Sequence, residues 1–339
     1  MQAPRSGFVA TVGSVREIAA LAAEGERLGY ESAWVAETAG YDVVSLLTAM
    51  AASTASIRLG TGIAGVYLRS PLLMAMSANA VNEFSGGRLL LGLGTSTPVI
   101  VERWHGLAWS KPLGHMRAYA ELVRRLLAGE RVKSDGLYAL NGVQLVVPAA
   151  GVPPIYFGAL NDGMLALAGA IADGVILNFP TLSYARRALE LVRRSAEDAG
   201  RDPASVTIAA FVRTTVTDTP DSAFLRQRYE RELLQYVLAP VYRRVFTADG
   251  YGAVCDRVNE LWAAGKREQA LAALTPEFLR DHTVVGPSDD CAARLQALRD
   301  IGVDNVVLLC LPDNADDPLG SVRLSIVSLA PGAQAQPTD

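Results

Sequence analysis

A chain of 339 residues that is 50% hydrophobic has the material for one large α/β barrel or two ordinary domains. Its 31 Lys and Arg against 35 Asp and Glu leave a net charge of −4, which excludes the basic footprint of a nucleic-acid or anionic-membrane binder. No apolar run has the length of a membrane span and "MQAPRSGFVATVG" lacks the blocks of a signal peptide, so a cytoplasmic protein without membrane contact is expected.

Apolar runs of strand length alternate with segments of helical period, the pattern of βα units on a parallel sheet. "GFVATV" (Gly7 to Val12) is a first strand, and Ser14 with Glu17 is a capping box for a helix that Gly29 ends. "SAWVAE" (Ser32 to Glu37) is the second strand, Tyr41 to Ser53 the second helix. The third strand lies in "IRLGTGIAGVYLRSP", where Gly60 and Gly62 interrupt an apolar run and mark a bulge or the close approach of a ligand or another backbone. Pro71 opens a third helix ending near Phe84, and "RLLLGLGTS" (Arg88 to Ser96) is the fourth strand. After a Trp- and Pro-rich loop, "HMRAYAELVRRLLAGE" reads as an amphipathic helix and "YALNGVQLVV" as a hairpin turning at Asn141-Gly142. "PIYFGAL" (Pro154 to Leu160), "GVILNF" (Gly174 to Phe179) and "VTIAAFVRTTV" (Val206 to Val216) are strands five to seven, with helices Gly163 to Ala172 and Ser183 to Ala199 between them. Residues 220 to 285 show helical segments and no clear strand, so they are an insertion. The helix Ser288 to Ile301, the eighth strand "NVVLLCL" (Asn305 to Leu311) and a helix from Leu319 to Leu329 complete the set, and 331–339 reads as a disordered tail.

Eight βα units predict a single (β/α)₈ TIM barrel over 1–330, with the insertion between strands seven and eight. A doubly wound sheet is the rival, but "VATVGSVRE" has one glycine where a phosphate fingerprint needs three. In a barrel the active site lies at the C-terminal strand ends: Ala10 to Val12, Glu37-Thr38, Gly62 to Tyr67, Thr95 to Thr97, Gly158 to Asn161, Asn178-Phe179, Arg213 and Leu311. These ends hold no Ser-His-Asp set, close carboxylate pair or Schiff-base lysine. The scattered Cys255, Cys291 and Cys310 suggest neither disulfide framework nor zinc, and three histidines (His105, His115, His282) argue against a metal centre. Few polar groups around an apolar mouth suit redox chemistry done by a bound cofactor; a lyase or isomerase is the other option these residues leave.

The blocks "LGTGIAGVYLRSP", "FSGGRLLLGLGTS", "WHGLAWSKPLGHMRAYAELVRRLLAGE" and "PPIYFGALNDGMLALAGAIADGVILNF" occur in an order that resembles the luciferase-like monooxygenase superfamily. The likeness is greatest to its coenzyme F420-dependent oxidoreductases, the relatives of methylenetetrahydromethanopterin reductase. It runs from about Arg5 to Leu311 and is weakest across the insertion. It implies a non-prolyl cis bond at Gly62-Ile63, with Ile63 and Ala64 behind the deazaflavin ring; a purely structural bulge is the alternative. It also implies a phosphodiester near Gly158 and Ala159 at a helix N-terminus. Asn178 is then a side-chain donor or, alternatively, a capping asparagine. Thr95 and Ser96 are polar contacts that Gly92 and Gly94 expose to the cofactor.

By the same resemblance Glu37 stands where relatives place an acid near the ring's polar edge, so it is a candidate catalytic relay or else a solvated loop acid. Trp104, His105 and Trp109 match a "WHG" pattern, as an aromatic substrate wall with His105 a candidate proton donor, or as anchors of a long loop. Tyr67, Phe179, Phe211, Arg213 and Tyr242 are further pocket candidates, and Arg69 or Lys111 is placed to meet the cofactor's acidic tail. Thr38 replaces a histidine common in relatives, Thr97, Ile100 and Thr181 replace sugar-phosphate-binding residues, and the first strand lacks the acid of pterin reductases. The expected protein is therefore an F420-dependent oxidoreductase, moving a hydride between reduced deazaflavin and a C=N or activated C=C of a small molecule, and a possible homodimer. The alternatives are an FMN-dependent monooxygenase and a non-catalytic cofactor-binding protein.

Overall fold

The computed structural model describes residues 5–10 and 12–332; most of the expected tail, 333–339, and Thr11 lie outside them. Twelve strands occur among these residues: β1 Arg5–Val9, β2 Ser32–Val35, β3 Arg58–Thr61, β4 Ala64–Gly65, β5 Leu89–Gly94, β6 Val132–Asp135, β7 Ala139–Val143, β8 Ile155–Gly158, β9 Gly174–Asn178, β10 Thr207–Val216, β11 Thr283–Gly286 and β12 Asn305–Cys310. Eight of them, β1, β2, β3, β5, β8, β9, β10 and β12, pair in parallel in that order, and β12 closes on β1 with Leu308 opposite Phe8. This is the expected eight-stranded barrel.

The helices follow the predicted order. Around the barrel run α1 Val15–Arg27, α2 Val43–Ser53, α3 Pro71–Phe84, α4 Pro112–Leu127, α5 Asp162–Ile171 and α6 Leu182–Asp198. The insertion carries α7 Ala223–Val237, α8 Pro240–Phe246, α9 Gly252–Ala263, α10 Arg267–Ala272 and α11 Pro276–His282, before α12 Ser288–Asp300 and α13 Pro318–Ser328. Ser14 and Glu17 form the capping box reciprocally, and Ser70 with Pro71 opens α3. No helix among the described residues is long and apolar enough to cross a membrane. Cys255, Cys291 and Cys310 are buried and unbridged.

Two local expectations are corrected. Asn141-Gly142 is not the hairpin turn: the chain reverses between Asp135 and Ala139, and Gly142, at φ +68°, sits inside β7 opposite a register shift at Val132/Lys133. The dipeptide's left-handed preference is spent on a bulge. The end of the insertion also contains a strand: β11 pairs in parallel with Arg213–Val216. Only the first half of β10 is covered by β9, so its free upper edge recruits a four-residue partner too short to read in isolation.

Side-chain alternation divides the core. Val9, Trp34, Leu90, Tyr156, Ile176, Ala209, Phe211 and Val307 fill the barrel, while their strand neighbours pack outward on the helices. A separate cluster around Leu233, Val237, Phe246, Val258 and Phe278 holds the insertion together. The "SGGR" block proves structural: Arg88 donates to Ser85 O, Thr54 Oγ1 and Ile57 O at 2.6, 2.8 and 2.9 Å, tying the end of α2 to the base of β3.

The Glu26 carboxylate accepts from the N–H groups of Ile57, Ser56 and Ala55 and from the Ser56 hydroxyl. Partial burial raises its pKa, but these donors together outweigh it and hold the group at about 2. A depressed carboxylate stabilises the fold above its unfolded pKa near 4.5 and loses that contribution as pH falls toward 2. Glu26→Gln is therefore expected to lower the melting temperature at pH 7 and to flatten its decline between pH 4.5 and 2, as read by calorimetry across that range.

Candidate active site at the mouth of the barrel

Alternation along each strand decides what stands at the C-terminal rim. On β10, Ala209 and Phe211 point inward, and so does the next residue in that period, Arg213. On β9 the inward series is Gly174, Ile176, Asn178; on β5 it is Leu90, Gly92, Gly94; on β8 it is Tyr156, Gly158. The last members of these series surround a cavity of about 230 Å³. Its floor is Ile63, its rim includes Glu37, Thr38, Thr95, Ser96 and Asn161, and its far wall is Arg213, Tyr236, Val241 and Tyr242.

The floor results from the interruption in the third strand. The bond Gly62-Ile63 is cis, as the resemblance implied, and the chain resumes as β4, where Ala64 pairs with Leu93. Ile63 thus rises into the cavity, whereas Ala64 is fully buried behind it and does not line it. The glycines of β5 leave room for the interrupted third strand, and Gly94 lines the cavity beside Thr95 and Ser96. A Cβ on Gly92 would lie 1.9 Å from Thr61 O, and one on Gly94 2.4 Å from Ile63 Cγ1.

Glu37 lines the cavity, yet its carboxylate is engaged. Arg69 donates to both of its oxygens at 2.6 Å, and the Gly65 N–H donates to Oε2 at 3.2 Å. Both side chains are largely buried, so the pair braces the bulge loop against β2. That geometry ties the Arg69 guanidinium to Glu37 and leaves the carboxylate without a free oxygen. Lys111 is exposed before α4 and lies off the cavity.

Gly158 and Ala159 both line the site, but the Ala159 N–H is donated to Ile176 O. Beyond it, Asn161 caps α5 by accepting from the Met164 N–H at 3.1 Å. The N–H groups of Asp162 and Gly163, in the first turn, have no intrahelical partners, so the anion-attracting donors lie three to four residues beyond the expected pair.

The aromatic wall expected after the fourth strand is elsewhere. Residues 99–104 form a wide helical turn anchored by buried Val101, with Ile100 at the cavity, and this carries Trp104 (54% exposed) and His105 to the outer surface. Trp109 donates to Thr95 O at 3.0 Å and Tyr67 to Ser110 O at 2.5 Å; both anchor the loop and do not line the cavity. Phe179 is buried behind the wall, its ring 3.8 Å from the Arg213 guanidinium.

The wall that exists is polar and comes half from the barrel and half from the insertion. Arg213, 2% exposed, donates to Asn178 Oδ1, to the Tyr236 hydroxyl at 2.9 Å, and to Glu232 at 3.2 and 3.3 Å. Asn178 Nδ2 in turn donates to the Tyr242 hydroxyl at 2.7 Å. Burial pushes the Tyr236 and Tyr242 phenols above their ordinary range, so both stay protonated at neutral pH. A single arginine in an otherwise uncharged strand marks Arg213 in the sequence; Tyr236 and Val241 carry no such signal, because they lie on insertion helices outside the strand-end rule.

Comparison with known proteins adds to this geometry. The model of the luciferase-like monooxygenase family matches residues 2–305. A 5,10-methylenetetrahydromethanopterin reductase of Methanolobus tindarius is 30% identical, over 93% of this chain and 94% of its own. A Mycobacterium tuberculosis protein provisionally named a coenzyme F420-dependent oxidoreductase is 29% identical, over 86% of this chain and 89% of its own. Among solved structures, the coenzyme F420-dependent tetrahydromethanopterin reductase of Methanopyrus kandleri superposes with a TM-score of 0.77 at 22% identity, over 96% of this chain and 98% of that one.

Proposed function

The chain belongs to the luciferase-like monooxygenase family, and from that premise we propose that it is a coenzyme F420-dependent oxidoreductase that passes a hydride between reduced deazaflavin and a small organic substrate. The relatives that bear reductase and F420-dependent names at about 30% identity support the cofactor. The observation that carries the reading is the cavity itself: a β-branched floor on Ile63 with open space between it and a wall of phenols and a guanidinium.

The residues present fit such a cofactor. Ile63 offers one apolar support for a flat ring, Thr95 and Ser96 stand at its edge, and the first turn of α5 faces a phosphodiester with unpaired N–H groups. When bound, reduced F420 supplies the hydride; the protein supplies position and excludes water. Ile63 closes one face, Glu37 and Arg69 keep the bulge in register, and Ile100, Tyr236, Val241 and Tyr242 leave the opposite face to a substrate whose reducible bond is C=N or activated C=C. Met76, Val146 and Val147, exposed and lining one groove, are where a second copy of the chain would dock, and sedimentation velocity tests for the homodimer.

The reading is tested by titrating the purified protein with F420 and, separately, FMN, each oxidised and reduced, by absorbance and fluorescence under and without oxygen. Preferential binding of the deazaflavin with no oxygen uptake is expected. Preference for FMN with oxygen consumption overturns the proposal in favour of a monooxygenase.

A further inference from the structure

The far wall of the cavity contains a chain of hydrogen bonds whose direction is fixed at one end. Arginine has donors only, so the Asn178 oxygen must face Arg213 and the Asn178 NH₂ must face Tyr242. The Tyr242 oxygen is therefore an acceptor in that contact, and its proton has no acceptor among the described residues. Tyr242 lines the cavity. No hydrogen bond joins it to Tyr236, whose ring packs 4.7 Å from its own. The buried Arg213 cation, anchored on Glu232, thus polarises two phenols that line the cavity, Tyr236 directly and Tyr242 through Asn178, and Tyr242 is the one whose proton direction is set by the Asn178 amide.

We propose that Tyr242 is the catalytic hydrogen-bond and proton donor of this site, and that the substrate presents a lone-pair acceptor there, a carbonyl oxygen or an imine nitrogen. The assignment of its chemistry rests on the hydride-transfer reading above. In the reducing direction, the substrate carbon gains a hydride and its electron pair from reduced deazaflavin. The π pair moves to the heteroatom, which takes the Tyr242 proton, and the phenolate recovers a proton from solvent. Because the wall offers donors at this point, it discriminates against molecules of the same shape that lack the acceptor. The alternatives are less well placed: Glu37 is bound by Arg69, and His105 is on the outer surface.

Two variants test the relay. Tyr242→Phe removes the donor, while Asn178→Asp supplies only acceptors and turns the Tyr242 proton inward, away from the cavity. Far-UV circular dichroism establishes that each is folded. Binding of 2-cyclohexen-1-one, 2-methyl-1-pyrroline and, as a probe without an acceptor, cyclohexene is followed by saturation-transfer NMR on apoprotein and on F420-loaded protein. At least one acceptor-bearing probe is expected to bind wild type about tenfold more tightly than either variant, with cyclohexene indifferent. An equal affinity of all three proteins for the carbonyl and imine probes, or no binding of those probes to wild type, overturns the assignment. A protein that discriminates these probes as apoprotein but fails to bind F420 sinks the cofactor reading and leaves Tyr242 in place. Loss of discrimination with F420 binding intact sinks Tyr242 alone.

Discussion

Gly94→Val is expected to weaken deazaflavin binding by more than a hundredfold while the barrel remains folded. Gly94 is the last inward position of β5, and a Cβ there would stand 2.4 and 2.5 Å from Ile63 Cγ1 and Cδ1 and 3.1 Å from its Cβ. Something must move, and the open space beside Ile63 is the cavity. The stability cost is that of local overpacking, about 1 to 3 kcal/mol. The space lost is the space over the floor. Gly158→Ala provides a graded control, because its Cβ would meet Ile63 Cγ2 at 3.1 Å, close enough to nudge the side chain but not to displace it. Fluorescence titration of F420 against wild type, Gly158→Ala and Gly94→Val should give affinities in that falling order, with melting temperatures that stay within a few degrees. Unchanged affinity in Gly94→Val would show that the cofactor does not rest on Ile63.

The rim residues were legible because a barrel turns a one-dimensional rule into a place. Once eight strands are found, the C-terminal rule takes in Gly62, Ile63, Thr95, Ser96, Gly158 and Asn178, all of which line the cavity, along with Tyr67 and Phe179, which do not; their roles toward a cofactor came from the resemblance. What failed was the reading of segments whose geometry is set by tertiary contacts. "WHG" follows a strand end in sequence, but a helical turn pinned by Val101 swings Trp104 and His105 outward. Glu37 stands at the expected place, but its partner Arg69 is 32 residues away, and only the bulge brings them together. Tyr236 and Val241 come from helices packed on a core of their own, and nothing in the local periodicity of α7 and α8 says which turn faces the barrel. The strand Thr283–Gly286 exists because β10 overhangs its neighbour.

Arg213 is where the barrel and the insertion depend on each other, and its replacement should reveal both roles at once. The guanidinium reaches Asn178 on β9, Glu232 and Tyr236 on α7, and the Phe179 face, so one buried side chain fastens α7 over the mouth. Arg213→Leu removes the cation and leaves the Asn178 oxygen and the Tyr236 hydroxyl without their donor; Glu232, part-exposed, can turn to water. Unsatisfied buried groups cost about 1 to 3 kcal/mol each, and the solvated carboxylate spares the full penalty of an orphaned ion, so a loss of about 2 to 4 kcal/mol is expected. The functional loss has a separate cause. Without a cation to fix its oxygen, Asn178 is free to rotate and accept from Tyr242, which takes the donor away from the cavity. Arg213→Lys separates the two effects, since an ammonium keeps the charge and can hold the Asn178 oxygen but cannot span Asn178, Glu232 and Tyr236 in one plane. Denaturant melts and probe binding should place Arg213→Lys between wild type and Arg213→Leu in stability and near wild type in its preference for 2-cyclohexen-1-one over cyclohexene. A stable Arg213→Leu with undiminished preference would mean that neither the insertion nor the tyrosine relies on this guanidinium.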